Sequence, residues 1–321
     1  MSVGPAFDVL FTGRIDIAER EAWHLALRDA APEFTWWTDD DGDLPRHAIT
    51  AAVVANPMPG ALAGLPRLRL VQSLWAGVEK LLADTTLPPQ VPLARMVDPA
   101  MNTAMAETVL WAVLSLQRGF FDYAAFQHAG EWRQLAQRRA DDVQVLVLGL
   151  GQMGSAAATQ LAMQGFRVHG WRATLNARPL PAEVTVHAGV DALEALLPAS
   201  DIVVNLLPLT PATRGLLGAR FFAALPRGAS LINVARGAHV VDEDLLAALD
   251  SGQLHHAVLD VFQTEPLPSE HRYWQHPQVT VLPHVAALTD VRTAANVVVA
   301  NLRAARDGGV LLHVVDRARG Y

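Results

Sequence analysis

Apolar residues along this chain fall into short runs separated by amphipathic stretches, and the alternation persists from end to end. In the first hundred residues, segments 7–11, 34–37, 51–55, 68–73 and 93–97 read as strands. Residues 17–27 carry apolar positions at helical spacing, and a turn at 74–77 opens a short helix over 78–82. The pattern predicts a small α/β domain, a parallel sheet with helices on its faces. At Val97-Asp98-Pro99 it changes: Asp98 or Asn102 caps a long helix over 101–116, read as the crossing into a second domain. Residues 119–140 then carry Phe120, Phe121, Tyr123, Phe126 and Trp132 among charges. They suit either a helix packed on its own domain or an arm that docks on a second subunit.

From Val143 the order becomes strand, turn, helix. The stretch 143–154 reads VQVLVLGLGQMG and runs into SAAATQLAMQ. This is a buried strand, a glycine turn and a helix start, the G-x-G-x-x-G context of dinucleotide binding. Gly149 permits the sharp exit from the strand, Gly151 lets backbone approach a pyrophosphate, and Gly154 lets helix and strand pack. The helix start turns its unpaired N–H groups toward the phosphates. Segments 166–171, 201–206, 230–234, 257–262 and 279–282 supply further strands. Asp242 is read as the cap of a helix ending before Gly252. A last helix over 290–306 returns toward the first domain. The expected fold is therefore α/β with two doubly wound parallel sheets and a cleft between them. A flavodoxin-like substrate domain (1–98 plus 288–321) accompanies a Rossmann dinucleotide-binding domain (99–287).

Three polar residues fall just beyond three strands, where ligands bind in such sheets. Arg236 follows LINVA, Glu265 follows AVLDVFQT and His284 follows VTVLP. Reduction of a 2-keto acid needs such a set. Arg grips a carboxylate or carbonyl oxygen, His protonates the developing alkoxide, and a carboxylate beside His raises its pKa. Trp75, Ala76 and Gly77 form a strand-to-helix turn whose N–H groups can receive a carboxylate, with Trp75 limiting substrate size. Asn56, Pro57 and Met58 are placed on the opposite wall. About twenty residues past the glycines, where an acid selects NAD, the chain has Trp171 and Arg172 and no acid from 167 to 178. A cation there suits the 2′-phosphate of NADPH, with NADH weaker. Thr174 and Arg178 are the reserve contacts.

Composition narrows the partners. Half of the 321 residues are hydrophobic (51%) and 18% are charged, enough apolar content for two cores. A net charge of −7 without a basic run argues against nucleic acid. The absence of cysteine excludes disulfides and thiolate chemistry. The other histidines lack metal-ligand spacing, so no metal is expected, and they read as structural or solvent-facing. No apolar run of about 18 residues suggests a membrane span and no leader pattern is seen, so a cytoplasmic protein is expected.

The segments 149–154, LINVARG at 231–237, LDVFQTEPLP at 259–268 and PHVA at 283–286 resemble the D-2-hydroxyacid dehydrogenase family. QSLWAGVEKLL at 72–82, MAETVLWAVL at 105–114, HVVDEDLLAALDSGQ at 239–253 and the ending VDRARGY are similar to its glyoxylate/hydroxypyruvate reductase branch. The resemblance implies an NADPH-dependent reductase of small 2-keto acids, with Arg236, Glu265 and His284 catalytic. Alternatives are a dehydrogenase working oxidatively and a nicotinamide-sensing binding module. It also implies a homodimer formed through the crossing helix and residues 119–140. Cofactor contacts are expected at Gly149, Gly151, Gln152, Met153, Gly154, Trp171, Arg172 and Thr174. Leu207, Pro208, Ala235, Arg236, Asp260 on the nicotinamide side, and His284 complete them.

Overall fold

The computed structural model describes residues 7–174 and 180–320. The chain divides into two units, Met1–Ala100 with Thr289–Tyr321, and Met101–Leu288. In the first unit the apolar runs become β1 (Asp8–Gly13), β2 (Thr35–Thr38), β3 (Ile49–Ala55), β4 (Leu70–Ser73) and β5 (Leu93–Ala94). They form one parallel sheet in the order β2-β1-β3-β4-β5, the flavodoxin-like order. Every position of β3 and β4 is buried, because helices cover both faces of a central parallel strand. Helix α1 (Ile17–Ala30) is capped by Asp16, whose carboxylate accepts the Glu19 N–H, and it buries Trp23 and Leu27. Helix α2 (Glu79–Leu82) is a single turn, one residue shorter than expected.

Helix α3 (Pro99–Arg118) leads into the second unit. Asp98, rather than Asn102, precedes it, with one carboxylate oxygen accepting the Ala100 N–H and the other the Thr293 hydroxyl. Helix α4 (Phe120–Ala129) follows and buries none of its residues. It is fastened by Phe121 stacked on His256 at 4.4 Å and by Asp122 against His255 at 3.2 Å. Burial lowers the pKa of His256 to about 4, so the stacked ring is neutral. Trp132, beyond the helix, is 97% exposed.

The second sheet comprises β6 (Gln144–Leu148), β7 (Arg167–Arg172), β8 (Val184–Ala188), β9 (Ile202–Asn205), β10 (Ala229–Asn233), β11 (Leu254–Leu259) and β12 (Val279–Val281). Its order is β12-β11-β10-β9-β6-β7-β8, all parallel, so the winding reverses between β6 and β9. Six strands are legible in the sequence. The seventh, β8, is an edge strand with only Val184 buried, which leaves too short an apolar signal. Alternate residues serve opposite faces. Leu146, Leu148, Val203, Leu231 and Leu259 pack on α6 (Val190–Leu196), α7 (Ala219–Ala224) and α8 (Asp242–Asp250). Val145, Val147, Val204, Ile232 and Val258 pack on α3 and α5 (Gln152–Met163). Asp242 is the first residue of α8, not its cap; its carboxylate instead accepts the Tyr273 hydroxyl at 2.8 Å.

Helix α9 (Val291–Asp307) belongs to the first unit and packs on α1, β3 and β4. Its buried Asn301 bonds Gln72 of β4 at 2.7 Å and the Leu312 N–H, which ties down the following segment. Residues 313–315 then lie antiparallel against β5, through Val315 N–H to Leu93 O and Arg95 N–H to His313 O. Among the described residues no helix is long and apolar enough to cross a membrane.

Candidate active site

The glycine turn sits where the winding of the second sheet reverses, the position at which such sheets bind ligands. Gly149 has φ +92°, and a Cβ on it would stand 2.6 Å from the Leu206 carbonyl oxygen. A Cβ on Gly154 would meet the Gly149 oxygen at 1.8 Å, so only glycine lets α5 start this close to the strand. A Cβ on Gly151, by contrast, would meet nothing within 4 Å. Gly151 precedes α5 without a capping side chain, so the first turn, with Gln152 and Met153, begins beside open space.

Arg172 ends β7, and its Nε and Nη1 are buried without a hydrogen-bond partner among the described residues. A guanidinium in that state suits an anionic ligand group. Thr174 is exposed, and Arg178 lies outside the described residues. Trp171 turns into the core with 7% exposure, and its indole N–H donates to Gly189 O at 2.8 Å. Its side chain therefore supports the strand end.

Arg236, Glu265 and His284 follow β10, β11 and β12, three adjacent strands of one sheet, and the structure brings them to the same end. His284 Nδ1 and Glu265 Oε2 are 2.8 Å apart, with side chains 52% and 36% exposed. The other Glu265 oxygen, Oε1, accepts the Phe262 N–H at 2.9 Å, which fixes the carboxylate's direction. His284 has φ +57°, a left-handed conformation that non-glycine residues seldom adopt and that concentrates at functional sites. The hydrogen bond to Glu265 is the largest influence on His284 and raises its pKa; burial and the Arg236 charge oppose it. For Glu265, burial is the largest single influence and acts upward. The His284 and Phe262 hydrogen bonds and the charges of His284 and Arg236 outweigh it, holding the carboxyl below its ordinary value. Arg236 thus acts electrostatically on both partners.

Asp260 shapes the same corner from below. It is 1% exposed, and its two carboxylate oxygens accept the Val285 and Ala286 N–H groups at 2.7 and 3.1 Å. It pins the turn that carries His284 and is itself pushed up in pKa by burial.

A buried polar network unremarked in the sequence holds the neighbouring loops. Asn205 and Asn233 end β9 and β10 with 0% exposure, and Asn205 Nδ2 donates to Asn233 Oδ1 at 2.9 Å. The two amide oxygens accept the Leu207 and Ala235 N–H groups, while Asn233 Nδ2 donates to Arg236 O. His239, fully buried, contacts the carbonyls of Arg236 and Pro208 and so joins the two loops. A Cβ on Gly237 would stand 1.9 Å from the Phe262 carbonyl carbon, so this glycine lets the Arg236 loop lie against the Glu265 loop. The one readable signal was an Asn closing each of two apolar strands.

In the first unit, Trp75, Ala76 and Gly77 follow β4. The Ser73 hydroxyl bridges the Trp75 N–H and carbonyl, and the Met96 N–H also donates to that carbonyl at 3.0 Å. The N–H groups of Ala76 and Gly77 are not used by these tethers. Asn56 follows β3 with φ +46° and accepts from Arg14 at 3.0 Å, and Met58 is 60% exposed.

A reversal-point glycine turn beside a cation, an imidazole and a carboxylate defines a dinucleotide-binding oxidoreductase. Residues 110–286 match the D-isomer specific 2-hydroxyacid dehydrogenase NAD-binding domain. Glyoxylate/hydroxypyruvate reductase A of Serratia proteamaculans (strain 568) is 39% identical over 310 residues, 94% of this chain and 96% of that protein. A D-isomer specific 2-hydroxyacid dehydrogenase from Xanthobacter autotrophicus Py2, solved with NADPH and MES, superposes with a TM-score of 0.92. It is 41% identical, covering 98% of this chain and all of that one. The NADPH-dependent glyoxylate/hydroxypyruvate reductase of Sinorhizobium meliloti, solved with NADP and sulfate, gives 0.90 at 38% identity. The match covers 98% of this chain and 100% of that one. The chain belongs to the D-isomer specific 2-hydroxyacid dehydrogenase family.

Proposed function

We propose that this protein reduces small 2-keto acids, glyoxylate and hydroxypyruvate among them, to 2-hydroxy acids with NADPH. The observation that carries the reading is the His284–Glu265 pair at 2.8 Å under the charge of Arg236. The named activities of the Serratia and Sinorhizobium relatives support the substrate class. The residues present fit the cofactor. Gly149, Gly151 and Gly154 with the start of α5 take the pyrophosphate, and Arg172, with two buried nitrogens unpaired among the described residues, takes the 2′-phosphate. The loops at Leu207-Pro208 and Ala235 flank it. When bound, the reduced nicotinamide supplies the hydride that adds to the keto carbon.

The chain's own residues do the rest. Arg236 donates to the substrate oxygens, orienting the carbonyl and stabilising negative charge on its oxygen. His284 holds its Nδ1 proton toward Glu265, which leaves Nε2 as the nitrogen that delivers a proton to the carbonyl oxygen. Glu265 keeps the imidazole protonated and aimed. The Trp75, Ala76 and Gly77 turn is the proposed seat of the substrate carboxylate, with Trp75 restricting side-chain size.

NADPH oxidation measured across a panel of 2-keto acids tests the proposal. Turnover of glyoxylate and hydroxypyruvate is expected, with kcat/KM for NADPH on the order of tenfold or more above NADH; no turnover of any keto acid would overturn it. Glu265→Gln bears on the proton donor. Reduction needs protonated His284, so activity is present below its pKa and lost as pH rises through it. Removing the Glu265 charge lowers that pKa, so the alkaline limb of the kcat profile moves to lower pH. An unmoved limb would contradict the pairing.

The working form is proposed to be a homodimer. The unburied face of α4, Phe120 at 52% exposure and Trp132 at 97% are apolar surface of the kind interfaces cover. Light scattering on the purified chain is expected to give twice the monomer mass, and Trp132→Glu with Phe120→Glu to give the monomer.

A further inference from the structure

Among the described residues Arg95 is a cation held without a counter-charge. It follows β5 at the carboxyl end of the first unit's sheet, and the next residue, Met96, donates its N–H to the Trp75 carbonyl at 3.0 Å. Arg95 thereby lies one residue from the bond that tethers this strand end to the turn of Trp75, Ala76 and Gly77. Its own N–H donates to His313 O at 3.1 Å. His313 has φ +57°, and its side chain is close enough that the Arg95 charge, after burial, lowers its pKa. The Arg95 guanidinium, partly buried, forms no hydrogen bond or ion pair among the described residues. Burial lowers its pKa and no acid acts in the other direction. Several arginines of the same unit are paired, Arg20 with Asp39 and Asp40, Arg303 with Glu33 and Arg317 with the Pro88 and Val91 carbonyls, whereas Arg28, Arg67 and Arg69 stand exposed to solvent.

A half-buried cation with no partner costs folding free energy, so a chain that keeps one beside a second imidazole uses it. We propose that Arg95, with His313 beside it, forms an anion-recognition corner next to the Trp75, Ala76 and Gly77 turn, and that its ligand is a carboxylate. The planar fork of Arg matches a carboxylate bidentately, and the neighbouring peptide N–H groups add neutral donors. The corner rests on the reductase reading only for the identity of the anion, the carboxylate of the 2-keto acid. Arg95 is then a specificity residue: it favours acids over the matching aldehydes and ketones.

Oxalate, an unreactive dicarboxylate, is the probe. Its binding to the full chain is measured by titration calorimetry with and without NADP⁺, for the native protein, Arg95→Gln and Arg95→Lys. Arg95→Gln is expected to weaken oxalate roughly 10–100-fold, and Arg95→Lys to lose less, because it keeps the charge and loses the fork. The Tm of Arg95→Gln should equal or exceed that of the native chain, since an unpaired cation has been removed. KM for glyoxylate should rise more than kcat falls, as for an anchor used equally in ground and transition states. Unchanged oxalate affinity, or a Tm lower by several degrees, overturns the proposal, the second by assigning Arg95 to the fold. Arg95-dependent oxalate binding in a protein that reduces no 2-keto acid would keep the corner and sink the reductase reading. Reduction with unaltered KM in Arg95→Gln would do the reverse.

Discussion

His284→Gln is expected to lower kcat for glyoxylate reduction by roughly 10²–10⁴-fold, the usual worth of a positioned general acid, with NADPH affinity nearly unchanged. The argument is geometric. His284 is bonded through Nδ1 to Glu265, so Nε2 is the nitrogen left to deliver the proton in the proposed reduction. Glutamine retains a hydrogen-bond donor of similar length and cannot release a proton near neutral pH. Because residue 284 has φ +57°, His284→Asn serves as a second variant: Asn tolerates the left-handed region well. Both variants should lose turnover while keeping cofactor binding and Tm. Turnover near the native rate in either would remove His284 from the proton step and leave Arg236 as the only group acting on the carbonyl oxygen.

Arg172→Asp should reverse the cofactor preference. Two of its guanidinium nitrogens are buried without an acceptor among the described residues, at the strand end where a nucleotide ribose is read. Loss of a charge-assisted pair costs roughly 10–100-fold in affinity, and a carboxylate facing a dianionic phosphate adds repulsion. The dissociation constant for NADP⁺, followed by quenching of tryptophan fluorescence, should therefore rise by about 100-fold or more. That for NAD⁺ should stay level or fall, since an acid at this position accepts from the ribose 2′-hydroxyl. Arg172→Gln should show the loss without the gain. Equal affinities in all three proteins would move the phosphate contact to Thr174 or Arg178. This measurement reads binding alone, so it separates cofactor choice from the chemistry tested at His284.

Much of the fold was legible because a parallel sheet buried on both faces writes itself as unbroken apolar runs. VLVL before Gly149, IVVN at 202–205 and LIN at 231–233 each lie in a strand with both faces covered. The edge strand β8 escaped because its outer residues face solvent and carry no such run. Asp242 and Asn102 misled as caps because Asp and Asn precede many helices, and local sequence does not say where a side chain finds a better partner. For Asp242 that partner is Tyr273, 31 residues away.

The sequence by itself determined the glycine turn, the three polar residues after three strands and the cation in place of an acid at the end of β7. These follow from residue type and spacing along one element, and local backbone geometry enforces them. The tertiary structure alone decided how the site is held. Gly237 is needed for contact with the Phe262 backbone, Asp260 for the N–H groups of Val285 and Ala286, and Asn205 and Asn233 for each other. It also left the Arg95 guanidinium without a partner among the described residues. Each of these depends on which distant backbone or charge comes within about 3 Å, the reach of a hydrogen bond, and no pattern along the chain encodes that distance.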